Sequence, residues 1–183
     1  MNGKVPERVV TVGSFDGVHR GHHAVVEEIA ARAQAAGRQS LLVTFEPHPI
    51  EVVRPAMAPR RLTTAAERLE ALTATALDAM AVLRFDDALR AMSAEAFVRE
   101  VLLGRYGMRE LVIGEDHGLG RGRAGDVEVL RQLGSALGFG VDVVRPVLDA
   151  SGEVISSTRI REAVAAGQQI GRASCRERVC LGV

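Results

Sequence analysis

Short apolar runs and longer helical patterns alternate along most of this chain. Strands are predicted where the runs occur: Val9 to Val12, Leu41 to Phe45, Met80 to Phe85, Leu111 to Ile113 and Val141 to Val144. Between them, apolar residues recur three and four positions apart, which predicts helices around Val25 to Ala33, Leu69 to Ala76, Phe97 to Leu102 and Val129 to Leu137. We therefore expect an α/β fold, with an open, mainly parallel sheet of about five strands, right-handed crossovers and helices on both faces.

A cluster of polar residues follows the end of the first predicted strand. The apolar run stops at Gly13, and His19 and His22 come where the first helical pattern begins. A strand, a glycine-containing loop and a helix N-terminus together present backbone N–H groups and a partial positive charge to an anion. Two imidazoles at that position indicate a phosphate site.

Two other interpretations of these histidines stay open at this point. His19 and His22 can also be zinc ligands, in an H-x-x-H-H pattern that includes His23, but no third ligand has suitable spacing and residues 1–167 contain no cysteine. The histidines can also be structural, with their hydrogen bonds satisfied inside the protein. Phosphate contact is the interpretation that we favour.

The second cluster, Thr44 to Pro49, follows the next predicted strand with the sequence TFEPHP. Pro47 and Pro49 have a fixed φ, and each pushes the residue before it toward an extended conformation. This pattern predicts a stiff arm rather than a flexible loop. A rigid turn without a ligand is the alternative.

The third cluster, Gly114 to Asp126, has the most unusual composition in the chain. Its five glycines permit positive φ and close approach to a ligand, and Arg121 and Arg123 are candidate phosphate contacts. A flexible solvent loop is the alternative. A loop of 13 residues without secondary structure is more often functional than idle in a compact domain.

The last cluster, Ile155 to Ala166, contains ISSTRIR at the predicted start of a helix. Ser156 or Ser157 can cap this helix. Arg159 and Arg161 oppose the usual preference for acidic residues in a first turn, which is tolerable if an anion lies between them and the helix dipole. A capped surface helix is the alternative.

One further helix start is predicted at Thr64, with Glu67 three residues later as the second half of a capping box. Arg60 and Arg61 lie just before it. Because arginines on a protein surface are common, we expect these two to be a solvated basic pair.

Composition limits the class of protein. The 183 residues are 47% hydrophobic and 25% charged with a formal net charge of +0, so no overall field favours nucleic acid or a membrane surface as a partner. No apolar run is long enough for a membrane span, and the N-terminus has no signal-peptide core. Both cysteines, Cys175 and Cys180, lie near the C-terminus, which fits a reducing, cytoplasmic location.

The chain is expected to divide at residue 167. Residues 1–167 form one predicted domain, whereas residues 168–183 break the helical pattern and include GRASCRERV. That segment looks like a translated scar joined to a truncated reading frame, so we expect it not to be native. A natural coding sequence across codons 168 to 183 would contradict this.

The clusters together resemble a known family. GSFDGVHRGH, TFEPHP, RLTT, the loop at Gly114 and ISSTRIR, in this order, are similar to the adenylyltransferase module of prokaryotic bifunctional riboflavin kinase/FAD synthetases. His19-Arg20-Gly21-His22 resembles the H-x-G-H signature of the wider nucleotidylyltransferase superfamily. The resemblance covers about residues 8–167. It implies a Rossmann-like nucleotidylyltransferase fold and the reaction FMN + ATP → FAD + pyrophosphate, with Mg²⁺.

The resemblance also implies a role for each motif. Contacts to the reacting phosphates would come from His19, His22, Ser157, Thr158 and Arg161, with His22 nearer the α-phosphate. Further ATP contacts would come from Gly13, Ser14, Phe15, Gly21, Ser156 and Arg159. The flavin would contact Phe45, Pro47, His48, Pro49, Asp116 and His117. No protein residue is assigned as a metal ligand.

Two departures from the family pattern matter. The family loop D-F-x-F-G is Asp116 to Gly120 here and lacks both aromatic residues, which leaves His117 as a ring that can stack. The family continues into a riboflavin kinase domain of which nothing is found here, so we expect adenylylation without kinase activity; conversion of riboflavin to FMN would contradict this.

The alternatives are a superfamily member acting on another phosphorylated compound and a non-catalytic flavin- or nucleotide-binding module. The sequence leaves the oligomeric state open.

Overall fold

The computed structural model describes residues 5–167. Its strands are β1 (Arg8–Val12), β2 (Gln39–Glu46), β3 (Ala79–Arg84), β4 (Met108–Gly114) and β5 (Gly140–Val144). Its helices are α1 (Arg20–Ala36), α2 (Pro49–Val53), α3 (Ala65–Thr73), α4 (Asp87–Ala91), α5 (Ala94–Ala96), α6 (Val127–Leu137) and α7 (Ser157–Ala165). Helix α5 continues as a π-helix over Phe97–Arg105, and short 3₁₀ turns cover Pro55–Met57 and Arg121–Arg123.

The five described strands form one parallel sheet in the order β3-β2-β1-β4-β5. This confirms the predicted α/β fold. Sequence order runs outward from β1 in both directions, so the direction of winding reverses between β1 and β4. Ligands bind outside the carboxyl ends of the strands at such a switch point. The loops that follow β1 and β4 are therefore the expected location of a site.

Alternate residues of each strand face opposite sides of the sheet, and both sides are buried. On one face, Val10 and Val43 pack with Phe97 and Leu130. On the other face, Leu42 packs with residues of α1, and Val9 and Val112 pack with Ile29 of that helix. Helices therefore cover both faces, as predicted, which fits the near-continuous apolar runs of a buried parallel sheet.

Local sequence explains where several helices begin. Thr64 accepts a hydrogen bond from the N–H of Glu67, whose side chain returns to Thr64, so the predicted capping box is confirmed. The Thr44–Pro49 arm is shorter than predicted, because His48 caps α2 and Pro49 is its first residue. Proline fits this position because the missing N–H would have no partner there.

Two predictions from the sequence are wrong. Arg61 is not solvated, since its guanidinium binds the carboxylates of Glu46 and Glu51 at 2.9 and 2.6 Å. The loop from Gly114 to Asp126 is not structureless, because Leu119 and Gly125 exchange backbone hydrogen bonds of 2.9 Å around a 3₁₀ turn. The predicted tail, residues 168–183 with both cysteines, lies outside the described residues.

Candidate active site

Asp16 lies at the centre of the polar residues beyond the end of β1. The side chain is only 3% exposed. Its carboxylate accepts hydrogen bonds from the backbone N–H groups of Leu62 and Thr63 at 3.1 Å, from the Thr63 hydroxyl at 3.2 Å and from Arg161 at 2.6 Å. The loop after β1, the segment before α3 and the start of α7 therefore meet at one carboxylate.

The start of α7 is attached to the same loop a second time. Ser157 donates its hydroxyl to the backbone carbonyl of Asp16 at 2.9 Å. We call Asp16, Leu62, Thr63, Ser157 and Arg161 the Asp16 cluster. It brings together the first and last sequence clusters, which lie 145 positions apart between Asp16 and Arg161. Burial by itself would raise the pKa of Asp16, but hydrogen bonds from Arg161, Leu62 and Thr63 outweigh it and lower that pKa.

His19 and His22 form a stacked pair at the start of α1, which we call the histidine pair. Their ring centroids are 3.7 Å apart, and the His22 ring also lies 4.8 Å from that of Phe15. His19 is 5% exposed, and in both residues Nδ1 is buried without a hydrogen-bond partner among the described residues. Both Nδ1 atoms thus have unused hydrogen-bonding capacity.

The histidine pair is electrically neutral near pH 7. Burial, with smaller effects of His23 and Arg161, lowers the pKa of His19 to about 4. Burial also lowers the pKa of His22 well below its ordinary value, with His19 as the next cause. A neutral imidazole carries one N–H donor and one acceptor nitrogen. The positive charge of Arg161 contributes to both shifts.

The backbone between β1 and α1 is strained. Phe15 and Val18 have positive φ values of 52° and 36°, although neither is glycine, and Gly17 has a φ of 84°. Positive φ is unfavourable for a β-branched residue such as Val18 and is found where the surroundings impose it. Here the Gly17 N–H donates to the Thr63 hydroxyl at 3.1 Å, so the Asp16 cluster holds the loop in this conformation.

Gly13 and Gly21 were predicted to let the backbone approach a nucleotide, and the structure shows what surrounds them. A Cβ on Gly21 would lie 3.2 Å from the His19 ring and 3.3 Å from the carbonyl oxygen of Ile155. One on Gly13 would lie 2.9 Å from the Phe15 ring. Both glycines therefore permit close packing within the protein, and Gly21 brings α1 close to the segment before α7.

The other polar residues of the ISSTRIR motif, Ser156, Thr158 and Arg159, are not part of the Asp16 cluster, and Ile160 is buried. Ser156 caps the helix by accepting from the Arg159 N–H at 3.3 Å. The Arg159 guanidinium lies 2.7 Å from the Asp149 carboxylate, whereas Thr158 is exposed in the first turn. Arg161 also donates to the carbonyl of Arg60 at 3.0 Å. The described contacts thus direct Arg161 into the Asp16 cluster and Arg159 toward Asp149.

The predicted flavin arm lies at the end of β2. The Phe45 ring packs with Phe85 at 5.5 Å and with Phe97 at 6.3 Å between centroids, on the face of the sheet opposite α1. His48 accepts a hydrogen bond at Nδ1 from the Ile50 N–H, so its neutral ring carries the proton at Nε2. Burial lowers the pKa of His48, an effect that the charge of Asp16 opposes and that of Arg161 reinforces. Pro47 follows a cis peptide bond.

The predicted flavin residues of the third cluster point in different directions. The Asp116 side chain is exposed, and its backbone carbonyl accepts a hydrogen bond from Arg123. The His117 ring is largely buried, with Nε2 lacking a partner among the described residues, and burial lowers its pKa to about 4. Leu119 packs into the core face that also contains Phe97. The loop therefore lies on the same side of the sheet as Phe45.

Sequence reasoning missed three buried polar residues. Asp16 and Thr63 are 3% and 4% exposed, and Arg68 is 2% exposed. Asp16 lies in the first motif without having been assigned a role. Arg68 is four positions before the buried Leu72, so helical spacing placed it on the apolar face of α3, and that was the available signal.

Within residues 5–167, no group of three or more His, Cys, Asp and Glu side chains is arranged to hold a metal ion. Nor is any helix in that part of the chain long and apolar enough to cross a membrane. The histidine pair is stacked face to face, and Asp16 is fully engaged by N–H and O–H donors. The site is thus built from donors, which suit an anion.

Comparison of the sequence with known proteins gives a family match. The family model described as FAD synthetase matches residues 2–159. A bifunctional riboflavin kinase/FMN adenylyltransferase from Pseudomonas fluorescens is 39% identical over 158 residues, covering 86% of this chain and 50% of that protein. A putative enzyme of the same description from Geobacillus thermodenitrificans is 38% identical over 164 residues, covering 90% of this chain and 86% of that protein.

The fold also matches a solved structure. A crystal structure described as a macrolide-efflux protein from Streptococcus pneumoniae superposes with a TM-score of 0.73 and 26% identity, covering 88% of this chain and 52% of that one. The chain thus spans about half the length of that structure and of the Pseudomonas relative.

Proposed function

The chain belongs to the FAD synthetase family, and from this membership we propose that it transfers the AMP group of ATP to FMN, giving FAD and pyrophosphate. The observation that carries the proposal is the meeting of Ser157 and Arg161 at Asp16, in the same loop that leads into the histidine pair. Donors from three segments thus come together at the switch point of the sheet. Such an arrangement suits a nucleotide phosphate chain.

The proposed reaction needs no nucleophile from the protein. An oxygen of the FMN phosphate attacks the α-phosphorus of ATP in line. The bond between that phosphorus and the oxygen bridging to the β-phosphate breaks, and pyrophosphate leaves with the bonding electrons. Catalysis then consists of positioning two anionic substrates and stabilising charge on the transferred phosphorus.

We assign the histidine pair to the ATP phosphates, with His22 nearer the α-phosphate. Both rings are neutral before ATP binds, so each donates a hydrogen bond rather than a full positive charge. Their buried position strengthens such a hydrogen bond because little water competes with it. Negative charge on the bound phosphates would raise the pKa of both rings.

We assign Ser157, Thr158 and Arg161 to the β- and γ-phosphates that leave as pyrophosphate. Asp16 accepts from Nη2 of Arg161 and the Arg60 carbonyl accepts from its Nε, which leaves the remaining N–H groups of the guanidinium for a phosphate oxygen. Exposed Thr158 and the N-terminus of α7 lie beside it. Ser156 and Arg159 are proposed as outer ATP contacts.

Mg²⁺ is proposed to enter with ATP. Magnesium usually keeps several waters and binds substrate phosphates together with one or two carboxylates, rather than a cage of protein ligands. The donor-rich site, and the lack of a metal-binding group among residues 5–167, fit an ion carried by the phosphates. We assign no protein ligand to it.

The flavin is proposed to lie along the Thr44–Pro49 arm and the loop after β4. Phe45, Pro47, His48, Pro49, Asp116 and His117 are the proposed contacts. Phe45 and that loop lie on the same side of the sheet, and the proton on Nε2 makes His48 a donor for the FMN phosphate. We place this activity in residues 1–167 and, since they lack cysteine, in the cytoplasm.

The proposal is tested by incubating the full chain with ATP, Mg²⁺ and one acceptor at a time. FMN should yield FAD and pyrophosphate in equal amounts, whereas nicotinate mononucleotide and phosphopantetheine should yield neither product. Preference for one of the other acceptors would instead identify a different nucleotidylyltransferase. Tight FMN binding without turnover would identify a binding module.

A further inference from the structure

Arg68 is a buried cation that the proposed reaction leaves without a role. It lies on α3, only 2% exposed, and its guanidinium joins two segments. Nη1 donates to the backbone carbonyl of Ser14 at 3.0 Å, in the loop after β1. Nη2 donates to the carbonyl of Phe45 at 3.0 Å and to the Glu46 carboxylate at 2.8 Å, at the end of β2.

The segments that Arg68 joins are those assigned to different substrates. Ser14 belongs to the loop that leads into the histidine pair, on the ATP side. Phe45 and Glu46 begin the proposed flavin arm. Thr44 makes a similar link, donating its hydroxyl to the same Ser14 carbonyl at 3.3 Å. Arg68 thus binds both substrate segments with one rigid group.

Arg61 provides an internal comparison. It also binds Glu46, with hydrogen bonds of 2.9 and 3.0 Å, but its other contacts go to Glu51 on α2. Its side-chain contacts therefore all lie on the flavin side. Arg61 and Arg68 share one carboxylate, and only Arg68 reaches the ATP side.

Stability alone is a weak explanation for Arg68. Desolvating a guanidinium is costly, and well-packed apolar residues often replace buried ion pairs without loss of stability. A planar, charged group with several fixed donors is instead suited to holding acceptors in a defined geometry. Arg68 has three acceptors on two segments, whereas its Nε is buried without a partner, so the geometry of its two Nη atoms is what the structure uses.

We propose that Arg68 is a positioning residue that couples the binding of ATP to the binding of FMN. The inference rests on the proposed function. When either substrate binds, it orders its own segment, and through the shared guanidinium it also orders the other. The second substrate then binds to a segment that is already ordered. Because the conformational entropy of that segment has already been lost, the second substrate binds more tightly. No catalytic contact by Arg68 is involved.

The test measures FMN affinity by flavin fluorescence in the full chain, with and without saturating α,β-methylene ATP and Mg²⁺. This analogue prevents turnover. The ratio of the two dissociation constants is the coupling factor, and by thermodynamic linkage FMN must change the affinity for the analogue by the same factor. Linked sites commonly show factors of about 5 to 150.

The expected result separates Arg68 from Arg61. Wild type should show a coupling factor in that range, Arg68→Lys a smaller one and Arg68→Met a factor near 1. Arg61→Met should weaken FMN binding and leave the coupling factor at the wild-type value. A wild-type factor near 1, or equal factors in wild type and both Arg68 variants, would overturn the inference.

Folding and function are checked separately. Thermal unfolding of each variant shows whether it is folded. If Arg68→Met is not folded, the coupling factor is measured in Arg68→Lys and Thr44→Val instead, since each of these weakens the link to Ser14. FAD formation by wild type tests the proposed function by itself. FAD formation with unaltered coupling in these variants would reject the role of Arg68 alone.

Discussion

The histidine pair and the Asp16 cluster form two sides of one site, and they differ in charge: the histidines are neutral, whereas the cluster contains a cation paired with a carboxylate. His19 and His22 are neutral because burial disfavours their protonation, and Nδ1 of each ring is buried without a partner. Arg161 is charged, and Asp16 compensates that charge at 2.6 Å. The histidine pair thus has unused hydrogen-bonding capacity, whereas Arg161 is already held in place by Asp16 before a ligand binds.

This difference suggests a division of labour. A cation fixed by a carboxylate costs little reorganisation when phosphate binds, which is the property expected for holding a leaving group. Neutral, desolvated donors bind weakly in the ground state and gain most where new negative charge develops. We therefore expect changes to the histidine pair to affect turnover, and changes to the Asp16 cluster to affect stability and ATP binding.

The largest effect is expected for His22→Ala. Loss of one buried donor to a developing negative charge commonly lowers kcat by about 10² to 10³-fold. The measurement is steady-state FAD formation with FMN and ATP both saturating. His23→Ala is the matched control, one position along the same helix and outside the stacked pair, and should retain most of the activity. Equal losses in both variants would mean that the pair has no special role.

A smaller effect on turnover but a clear effect on stability is expected for Asp16→Asn. The amide can still accept from Leu62 and Thr63, but it loses the charge that holds Arg161. Hydrogen bonds to charged groups contribute about 1.5 to 3 kcal/mol, so urea unfolding at pH 7 should show a loss of that size. KM for ATP should rise more than kcat falls. Asp87→Asn, at a carboxylate with 91% exposure, should change neither quantity.

The pH dependence of this stability loss follows from the lowered pKa of Asp16. In the unfolded chain the pKa of Asp16 is about 4, and in the folded protein it is lower. The carboxylate therefore stabilises the fold fully at pH values above the unfolded pKa, and this contribution is lost as the pH falls through the folded pKa. The gap between wild type and Asp16→Asn should therefore be constant from pH 5 to 8 and narrow only in stronger acid. A gap that closes near neutral pH would contradict the assignment.

The histidine pair predicts a different pH range. An unfolded chain protonates its histidines near pH 6.5, whereas folded His19 does so only at about pH 4. The unfolded state thus binds more protons between these values, so the free energy of unfolding should fall as the pH drops from 6.5 to 4. NMR titration of the ring protons measures this directly. An ordinary pKa for His19 in the free protein would contradict the neutral pair.

The smallest effect is expected for Gly21→Ala. The new methyl group would lie 3.2 Å from the His19 ring and 3.3 Å from the Ile155 carbonyl, so α1 and the segment before α7 must separate by a few tenths of an ångström. FAD formation should fall several-fold with little change in melting temperature. Gly114→Ala, with no atom within 4 Å of the new methyl group, is the control and should be close to wild type.

The fold could be predicted because its signals are local. Each buried parallel strand is a short apolar run, and each amphipathic helix has a period that sequence alone reveals. The meeting of the first and last clusters was implied by the family resemblance, which assigns both to the reacting phosphates, and the carboxyl ends of parallel strands do share one edge of the sheet.

The partners of individual side chains could not be predicted. Asp16 pairs with Arg161 across 145 positions, and no local pattern encodes that pairing. Arg61 and Arg68 were missed for a related reason, since arginine is treated as a surface residue unless a structure shows the acceptors that compensate for its burial. Both arginines bind Glu46 in the Thr44–Pro49 arm.

The central claim is that this site transfers the α-phosphoryl group of ATP, with its adenosine, to the phosphate of FMN. Parallel reactions of the full chain with FMN, Mg²⁺ and ATP labelled at either the α- or the γ-phosphate test it most directly. The account predicts that α-label appears in FAD and γ-label in pyrophosphate, with both products reduced in His22→Ala. Release of γ-label as free phosphate, or of α-label in any product other than FAD, would contradict it.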